Sequence, residues 1–296
     1  MAEYSIKIVD AFTSRRYAGN PCGVVTRAAG LDEAQMQAIA REMNLSETAF
    51  VFPSEQADFG VRFFTPRREI PLAGHPTIAT MHTLAEEGFI DLSAGPRSVT
   101  QELTIGVLRV DLARNEAGNV RVVMTQAPPQ FLAMLDPAAC AEALGLEVRD
   151  LLPGAPPQVV STGTAQAMVG VRSLETLKNV RPDLSRLAAL ETTGEFFSTH
   201  VFALEAFEPG HRVHSRHFAG SVGILEDPVT GSASGGMGAY LWKYGLVREH
   251  RYFAEQGHIM GRPGLVEIEV DADGDEPREV RVAGTAITVL SGTITI

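Results

Sequence analysis

Asp227-Pro228-Val229-Thr230-Gly231-Ser232-Ala233-Ser234-Gly235-Gly236 places a carboxylate just ahead of a run of small residues. The run opens an apolar helical pattern, Met237-Gly238-Ala239-Tyr240-Leu241-Trp242. Bare backbone N–H groups at a helix start, with little side chain in the way, form a seat for an anion. A carboxylate beside such a seat can act as an acid or a base.

The stretch has a counterpart earlier in the chain. A shift of 157 positions lays residues 69–84 on residues 226–241 without gaps. Glu69 then meets Glu226, Pro71 meets Pro228, Gly74 meets Gly231 and Leu84 meets Leu241. Residues 48–52, ahead of the first copy, resemble residues 199–204, ahead of the second. Each copy reads as strand, Pro-x-x-Gly turn, helix. Such a repeat predicts two similar halves, each presenting a helix N-terminus. Ligand sites favour the interface between such halves. The polar turn at 113–119 divides them. The expected halves are 1–116, completed by a return strand near 286–296, and 117–285, with the active site in the cleft between them.

The local patterns fit this division. Residues 4–12 alternate and favour a strand. Gly19-Asn20-Pro21 is a turn signal. Asp32 followed by Gln35 forms a capping box, and Met36, Ile39, Ala40 and Met43 make the apolar stripe of the helix behind it. Glu47 stands where that helix gives way to a strand over 49–52. Pro76 suits the first turn of a helix that continues over 77–87, with Gly88 as its stop. Residues 266–270, 280–282, 287–290 and 293–296 all read as strand. Many strands with a few short helices place the chain in the α+β class.

The 296 residues can build sizeable cores, and 45% of them are hydrophobic. A net charge of -11 argues against a nucleic-acid or anionic-membrane partner, which would need a basic face. A local pocket can still take a small anion. Two cysteines, Cys22 and Cys140, give no disulfide framework and no zinc-type cluster, and suit a reducing compartment. No apolar run nears membrane-spanning length, and the first residues lack the pattern of a signal peptide, so a cytoplasmic protein is expected. His211, His214 and His217 recur every third residue. Strand neighbours three apart point to opposite faces, which makes a three-histidine metal site poor geometry. No metal site is expected.

Asp10-Ala11-Phe12, Gly19-Asn20-Pro21, Asn44-Leu45-Ser46-Glu47-Thr48, Ala73-Gly74-His75-Pro76 and residues 226–233 (Glu-Asp-Pro-Val-Thr-Gly-Ser-Ala) fall in this order along nearly the whole chain. They resemble the signature blocks of the PhzF family of phenazine-biosynthesis-like isomerases. The resemblance implies the diaminopimelate-epimerase fold: two pseudo-symmetric halves, each with a mostly antiparallel sheet wrapped around a central helix. It implies a homodimer that needs no cofactor. It also implies Glu47 as the catalytic carboxylate, moving a proton between carbons of a trans-2,3-dihydro-3-hydroxyanthranilate-like acid. His75, Asp227 and Ser232 would surround the substrate, with Asn20 beside them and Gly74 and Gly231 at the helix starts. The related epimerases use two cysteines. Ala73 and Thr230 stand at the corresponding positions here, and neither can form a thiolate base. An epimerase or racemase using Glu47 and Asp227 in place of the thiols remains an alternative, as does a non-catalytic ligand-binding member. The natural substrate is not legible.

Overall fold

The computed structural model describes residues 1–222 and 224–296 of the chain. It divides into two units, Met1–Met124 with Ala283–Ile296, and Thr125–Val282. The first unit holds β1 (Glu3–Ala11), β2 (Asn20–Val25), α1 (Glu33–Met43), β3 (Glu47–Phe52), β4 (Phe59–Phe64), β5 (Glu69–Ile70), α2 (Gly74–Glu86), β6 (Arg97–Leu103), β7 (Gly106–Arg114) and β8 (Val120–Thr125). The pairing of β7 with β8 carries this unit past the polar turn at 113–119. The second unit holds β9 (Gln130–Met134), α3 (Pro137–Ala143), β10 (Gln158–Ser161), β11 (Ala165–Val171), α4 (Leu174–Asn179) and α5 (Leu184–Gly194). It continues with β12 (Thr199–Ala203), β13 (Val213–Ala219), β14 (Ile224–Asp227), α6 (Gly231–Lys243), β15 (Arg251–Gln256) and β16 (Gly264–Asp273). The tail, which reads as separate short strands in the sequence, is one long strand, β17 (Glu276–Thr295). Its last stretch pairs antiparallel with β1, from Ala11 opposite Ala286 to Glu3 opposite Thr295.

The two units repeat one order of strand pairing. In the first, β1–β2 is antiparallel, β2–β3 parallel, β3–β4 and β4–β5 antiparallel, β4–β6 parallel and β6–β7 antiparallel. In the second, β10–β11 is antiparallel, β11–β12 parallel, β12–β13 and β13–β14 antiparallel, β13–β15 parallel and β15–β16 antiparallel. One helix sits at the same point of each series, α2 after β5 and α6 after β14. The shift of 157 that aligns the sequences carries Gly74–Glu86 onto Gly231–Lys243. The fold is α+β with mostly antiparallel pairing.

Both helices are enclosed. α2 packs on β1, β2 and β3, and α6 on β10, β11 and β16. Nine of the thirteen residues of α2 are buried and eleven of the thirteen of α6, so neither helix has a polar face to offer water. Two of the three threonines in α2 adapt to this. Thr77 and Thr83 donate their hydroxyls to the carbonyls of Ala73 and Ala79, one turn back. Smallness is demanded in α6. A Cβ on Gly238 would lie 2.7 Å from Cγ2 of Ile268, and one on Gly236 would lie 2.8 Å from Cε of Met168.

A second repeated device ties down the chain before each helix. Arg62 on β4 grips Glu69 at the start of β5, its Nε donating to Oε1 at 2.7 Å and its Nη2 to Oε2 at 2.6 Å. Arg216 on β13 grips Glu226 on β14 the same way, at 2.8 and 2.9 Å. Each guanidinium also lies over the phenylalanine two residues on, Arg62 over Phe64 at 5.2 Å and Arg216 over Phe218 at 5.0 Å. The planar fork suits a carboxylate in this bidentate geometry.

α1 forms as its capping box predicts. Gln35 N–H donates to Asp32 Oδ1 at 2.8 Å, and Asp32 N–H donates to Gln35 Oε1 at 3.0 Å. It buries Met36, Ile39 and Ala40 against Phe50 and Phe64, whose rings meet edge-on. Such an aromatic pair adds about 0.5–1.5 kcal/mol beyond its buried area. Two elements begin earlier than their patterns suggest. α2 starts at Gly74, ahead of Pro76, and β3 starts at Glu47, two residues before the expected strand. Among the described residues no helix is long and apolar enough to cross a membrane.

The packing of α6 yields a first prediction. Helix propensity alone favours Gly238→Ala by about 1 kcal/mol. The contact with Ile268 opposes it, and overpacking typically costs about 1–3 kcal/mol. Urea denaturation should therefore show the variant to be less stable than the parent, and a gain in stability would contradict the enclosure described for α6.

Candidate functional site

Three of the residues singled out by the sequence meet in the first unit. β2 and β3 run parallel with Cys22 opposite Glu47, which sets the carboxylate at the start of β3. It lies just beyond Asn44, the left-handed cap of α1, and is 9% exposed. His75 occupies the second position of α2 and is also buried. Its Nε2 lies 3.2 Å from Glu47 Oε2. Its Nδ1 lies 3.1 Å from the side-chain nitrogen of Asn20.

The loop that delivers Asn20 explains two of the sequence blocks. Asp10 Oδ2 accepts the Tyr17 N–H at 2.7 Å, and Phe12 takes a positive φ of 59°. Gly19 also has a positive φ, and a Cβ there would lie 2.1 Å from the Ala11 carbonyl oxygen. Only glycine fits that position. Asp10-Ala11-Phe12 and Gly19-Asn20-Pro21 are thus two ends of one tight loop that buries Asn20 completely.

The partners assign a protonation state. The Asn20 amide nitrogen faces Nδ1, which assigns that nitrogen as the acceptor and leaves the ring hydrogen on Nε2, the nitrogen 3.2 Å from Glu47 Oε2. Burial pushes the imidazole down, to about 3, which keeps the ring neutral. Cys22 is close by but chemically quiet. Burial, and then the charge of Glu47, push its thiol well above the ordinary range, so it stays protonated.

The second unit carries the other cluster. Asp227 ends β14 and is 7% exposed. Asp227 is not the N-cap of α6, since Thr230 holds that place. The Thr230 hydroxyl donates to Asp227 Oδ2 at 2.5 Å. Gln256, at the end of β15, fastens both residues. Its Nε2 donates to the Asp227 carbonyl at 2.8 Å and to Thr230 Oγ1 at 3.1 Å, and its Oε1 accepts the Thr230 N–H at 3.0 Å. The chain reaches this position through Gly257, where a Cβ would lie 2.7 Å from the Pro228 carbonyl oxygen. Ser232 Oγ accepts from Gln166 Nε2 at 3.3 Å, and Gln126 Nε2 donates to the Gly231 carbonyl at 3.1 Å.

Ala73 and Thr230, the positions matched to the epimerase cysteines, are the N-caps of α2 and α6. Neither makes a side-chain cap bond to its helix. The leading N–H groups beyond Gly74 and Gly231 therefore face no capping side chain, an arrangement that can receive an anion. Asn20, Glu47 and His75 form one cluster. Asp227, Thr230, Ser232 and Gln256 form the other. Gln126, Gln166 and Gln256 escape the sequence reading, because an isolated glutamine carries no periodic or motif signal.

His211, His214 and His217, which recur every third residue, turn to different partners. His217 turns to His200, with the two Nδ1 atoms 3.2 Å apart, while His211 and His214 turn to Glu255. His200 and His217 pair directly across β12 and β13, and His217 lies opposite Asp227 on β14. A hydrogen bond between the two rings needs one bare nitrogen. Burial pushes His217 down, to about 3, and His200 well below its ordinary value.

These depressed values fix the sign of an acid effect. An unfolded histidine titrates near 6.5, above the folded value, so protons favour the unfolded chain below that pH. The stability contributed by the neutral ring is present above about pH 6.5 and is lost as pH falls towards the folded value of about 3. The loss approaches about 1.4 kcal/mol per pH unit for one group. In denaturant titrations between pH 6.5 and 4, His217→Gln should flatten the decline in stability relative to the parent. An unaltered slope would show that the pair is not held neutral.

Comparison with known proteins places this geometry in context. Residues 9–292 match the family described as PhzC-PhzF, phenazine biosynthesis-like protein. The chain is 38% identical to an uncharacterized isomerase of Clostridium acetobutylicum over 303 aligned positions, covering 99% of each. It is 32% identical to the trans-2,3-dihydro-3-hydroxyanthranilate isomerase of Pseudomonas chlororaphis, covering 98% of each. A crystal structure of a Bacillus anthracis phenazine biosynthesis protein of the PhzF family superposes with a TM-score of 0.91 at 35% identity, covering both chains completely. A hydroxyproline epimerase from Agrobacterium vitis superposes with a TM-score of 0.67 at 11% identity, covering 99% of this chain and 91% of its own. That last likeness shows a shared epimerase-type fold.

Proposed function

The chain belongs to the PhzF family of phenazine-biosynthesis-like isomerases, and from that premise we propose that it moves a proton within a small cyclic carboxylic acid, with Glu47 as the acid–base group. The observation that carries this reading is the buried Glu47–His75–Asn20 relay. Asn20 orients His75, and His75 Nε2 lies 3.2 Å from the carboxylate. A carboxylate held in this way can take a proton from one carbon and return it to another. The step is an isomerisation: one C–H bond breaks, another forms, and no electrons leave the substrate. It calls for no cofactor.

The second cluster supplies binding in this reading. Asp227, fixed by Thr230 and Gln256, accepts a substrate N–H or O–H. Ser232 and the N–H groups behind Gly231 receive a carboxylate. The relative in Pseudomonas chlororaphis, whose name specifies trans-2,3-dihydro-3-hydroxyanthranilate, supports this substrate class. A homodimer completes the reading, and light scattering should give about twice the chain mass of 31.8 kDa.

The experiment is turnover of trans-2,3-dihydro-3-hydroxyanthranilate in D2O. Deuterium should enter the product at a single carbon. Glu47→Gln keeps the shape and removes the basic oxygen, and should lower kcat by at least about 100-fold, the lower end of what a general acid–base group contributes. Turnover by this variant at the parent rate would sink the assignment of Glu47. Deuterium entering at a stereocentre of recovered substrate, with loss of optical activity, would point to epimerisation.

The Gln256 bridge gives a separate expectation. Gln256→Ala leaves the Thr230 N–H and the Asp227 carbonyl without their partner, at a cost of about 1–3 kcal/mol in stability. It should also raise KM more than it lowers kcat, because the binding cluster loosens while Glu47 is untouched. A fall in kcat at constant KM would remove Asp227 and its neighbours from substrate binding.

A further inference from the structure

A second group of titratable side chains gathers in the second unit, around Glu255. The parallel pairing of β13 and β15 sets His214 directly beside Glu255. His258 follows in the short turn at 258–260, three positions after Glu255. Glu255 and His214 are completely buried. His214 Nδ1 lies 3.1 Å from Glu255 Oε2, and His258 Nε2 lies 3.9 Å from the same oxygen. The ligating atoms of all three residues fall within 4.8 Å of one another.

From this geometry we propose that His214, Glu255 and His258 form a binding site for a divalent zinc-like cation, distinct from the Glu47 and Asp227 clusters. Two imidazoles and one carboxylate are a donor set suited to zinc and its neighbours and poorly suited to calcium or magnesium. Ligands about 2.0–2.1 Å from a tetrahedral ion stand about 3.3 Å apart. The His214–Glu255 separation already matches. The His258–Glu255 separation needs an approach of about 0.6 Å, which a side chain on a short surface turn can supply. The ion would take the place of the hydrogen between His214 Nδ1 and Glu255 Oε2. His258 is partly exposed, and this opens a path for entry.

The surroundings hold the ligands as a metal site requires. The backbone N–H groups of Phe207 and Glu208 donate to the two oxygens of Glu255, each at 2.8 Å, and His211 Nδ1 sits 2.8 Å from Oε1. Such outer partners orient a ligating carboxylate. Phe207 stacks flat on His258, with centroids 5.1 Å apart and planes 2° apart, and meets His214 edge-on. These contacts restrict both rings.

The test uses the whole chain, stripped with a chelator and titrated with zinc chloride in a calorimeter, with metal content measured after dialysis. One zinc per chain with micromolar or tighter affinity, and cobalt(II) giving the visible absorption of a tetrahedral site, is the expected result. His258→Ala, at a partly exposed position, should weaken binding by about 100-fold or more. His211→Ala should weaken it by about 10- to 100-fold, as loss of an outer partner does. Because His214→Ala risks the fold, His258 and His211 carry the test, with circular dichroism confirming that both variants are folded. Glu47→Gln should bind zinc as the parent does. Absence of stoichiometric binding, undiminished affinity in folded His258→Ala, or loss of the ion in Glu47→Gln would each overturn the site.

Discussion

A helix enclosed on every face is the constraint from which much of this protein follows. α2 and α6 are covered by strands, so neither can carry the polar stripe of an ordinary surface helix. Apolar residues and glycines fill most of them, and two of the three threonines of α2, Thr77 and Thr83, bond their hydroxyls back to the preceding turn. The same closeness governs their first turns. Each begins at a glycine with no capping side chain, leaving backbone N–H groups where an acidic ligand can use them. Packing and function therefore favour the same small residues at the same positions.

Each helix start must also be aimed. The Arg62–Glu69 and Arg216–Glu226 forks do this work at equivalent places in the two units. They pin the short strand just ahead of the turn, and the turn sets the first residues of the helix. Arg216 is nearly buried, and its Nη1 donates to the carbonyls of Leu177 and Val180 as well, so its charge is fully accommodated. Removing one member of such a pair strands the other, at a cost of about 3–5 kcal/mol. Glu69 and Glu226 are among the few residues that survive identically in both copies. The fork explains why.

Much of this was legible before any coordinates. Asp32 and Gln35 announced the capping box of α1, and the Pro-x-x-Gly turns announced α2 and α6. The family blocks brought Asn20, Glu47 and His75 forward as a group, and the structure joins them by contacts of 3.1 and 3.2 Å. What stayed hidden depends on long-range pairing. Gln256 reaches Asp227 and Thr230 only because Gly257 lets the chain pass close to Pro228. His214 reaches Glu255 only because β13 and β15 lie side by side in parallel. The alternation of a strand separates His214 from His217, as strand geometry requires, but the partners each would find were not predictable from that rule.

The sequence by itself determined the kind of fold and its duplication. The elements rest on local periodicity and turn chemistry, the duplication on a repeat at a shift of 157 positions, and the kind of fold on the resemblance of the signature blocks to a known family. It also determined that no cysteine stands at the two positions where the related epimerases carry one. Only the tertiary structure decided the protonation states and the supporting contacts. A histidine is neutral at His75 because it is buried and because Asn20 donates to one of its nitrogens. An aspartate is held still at Asp227 because a glutamine from a distant strand bridges it to the helix cap. Burial and hydrogen-bond direction are properties of assembled neighbours, and no local pattern records them.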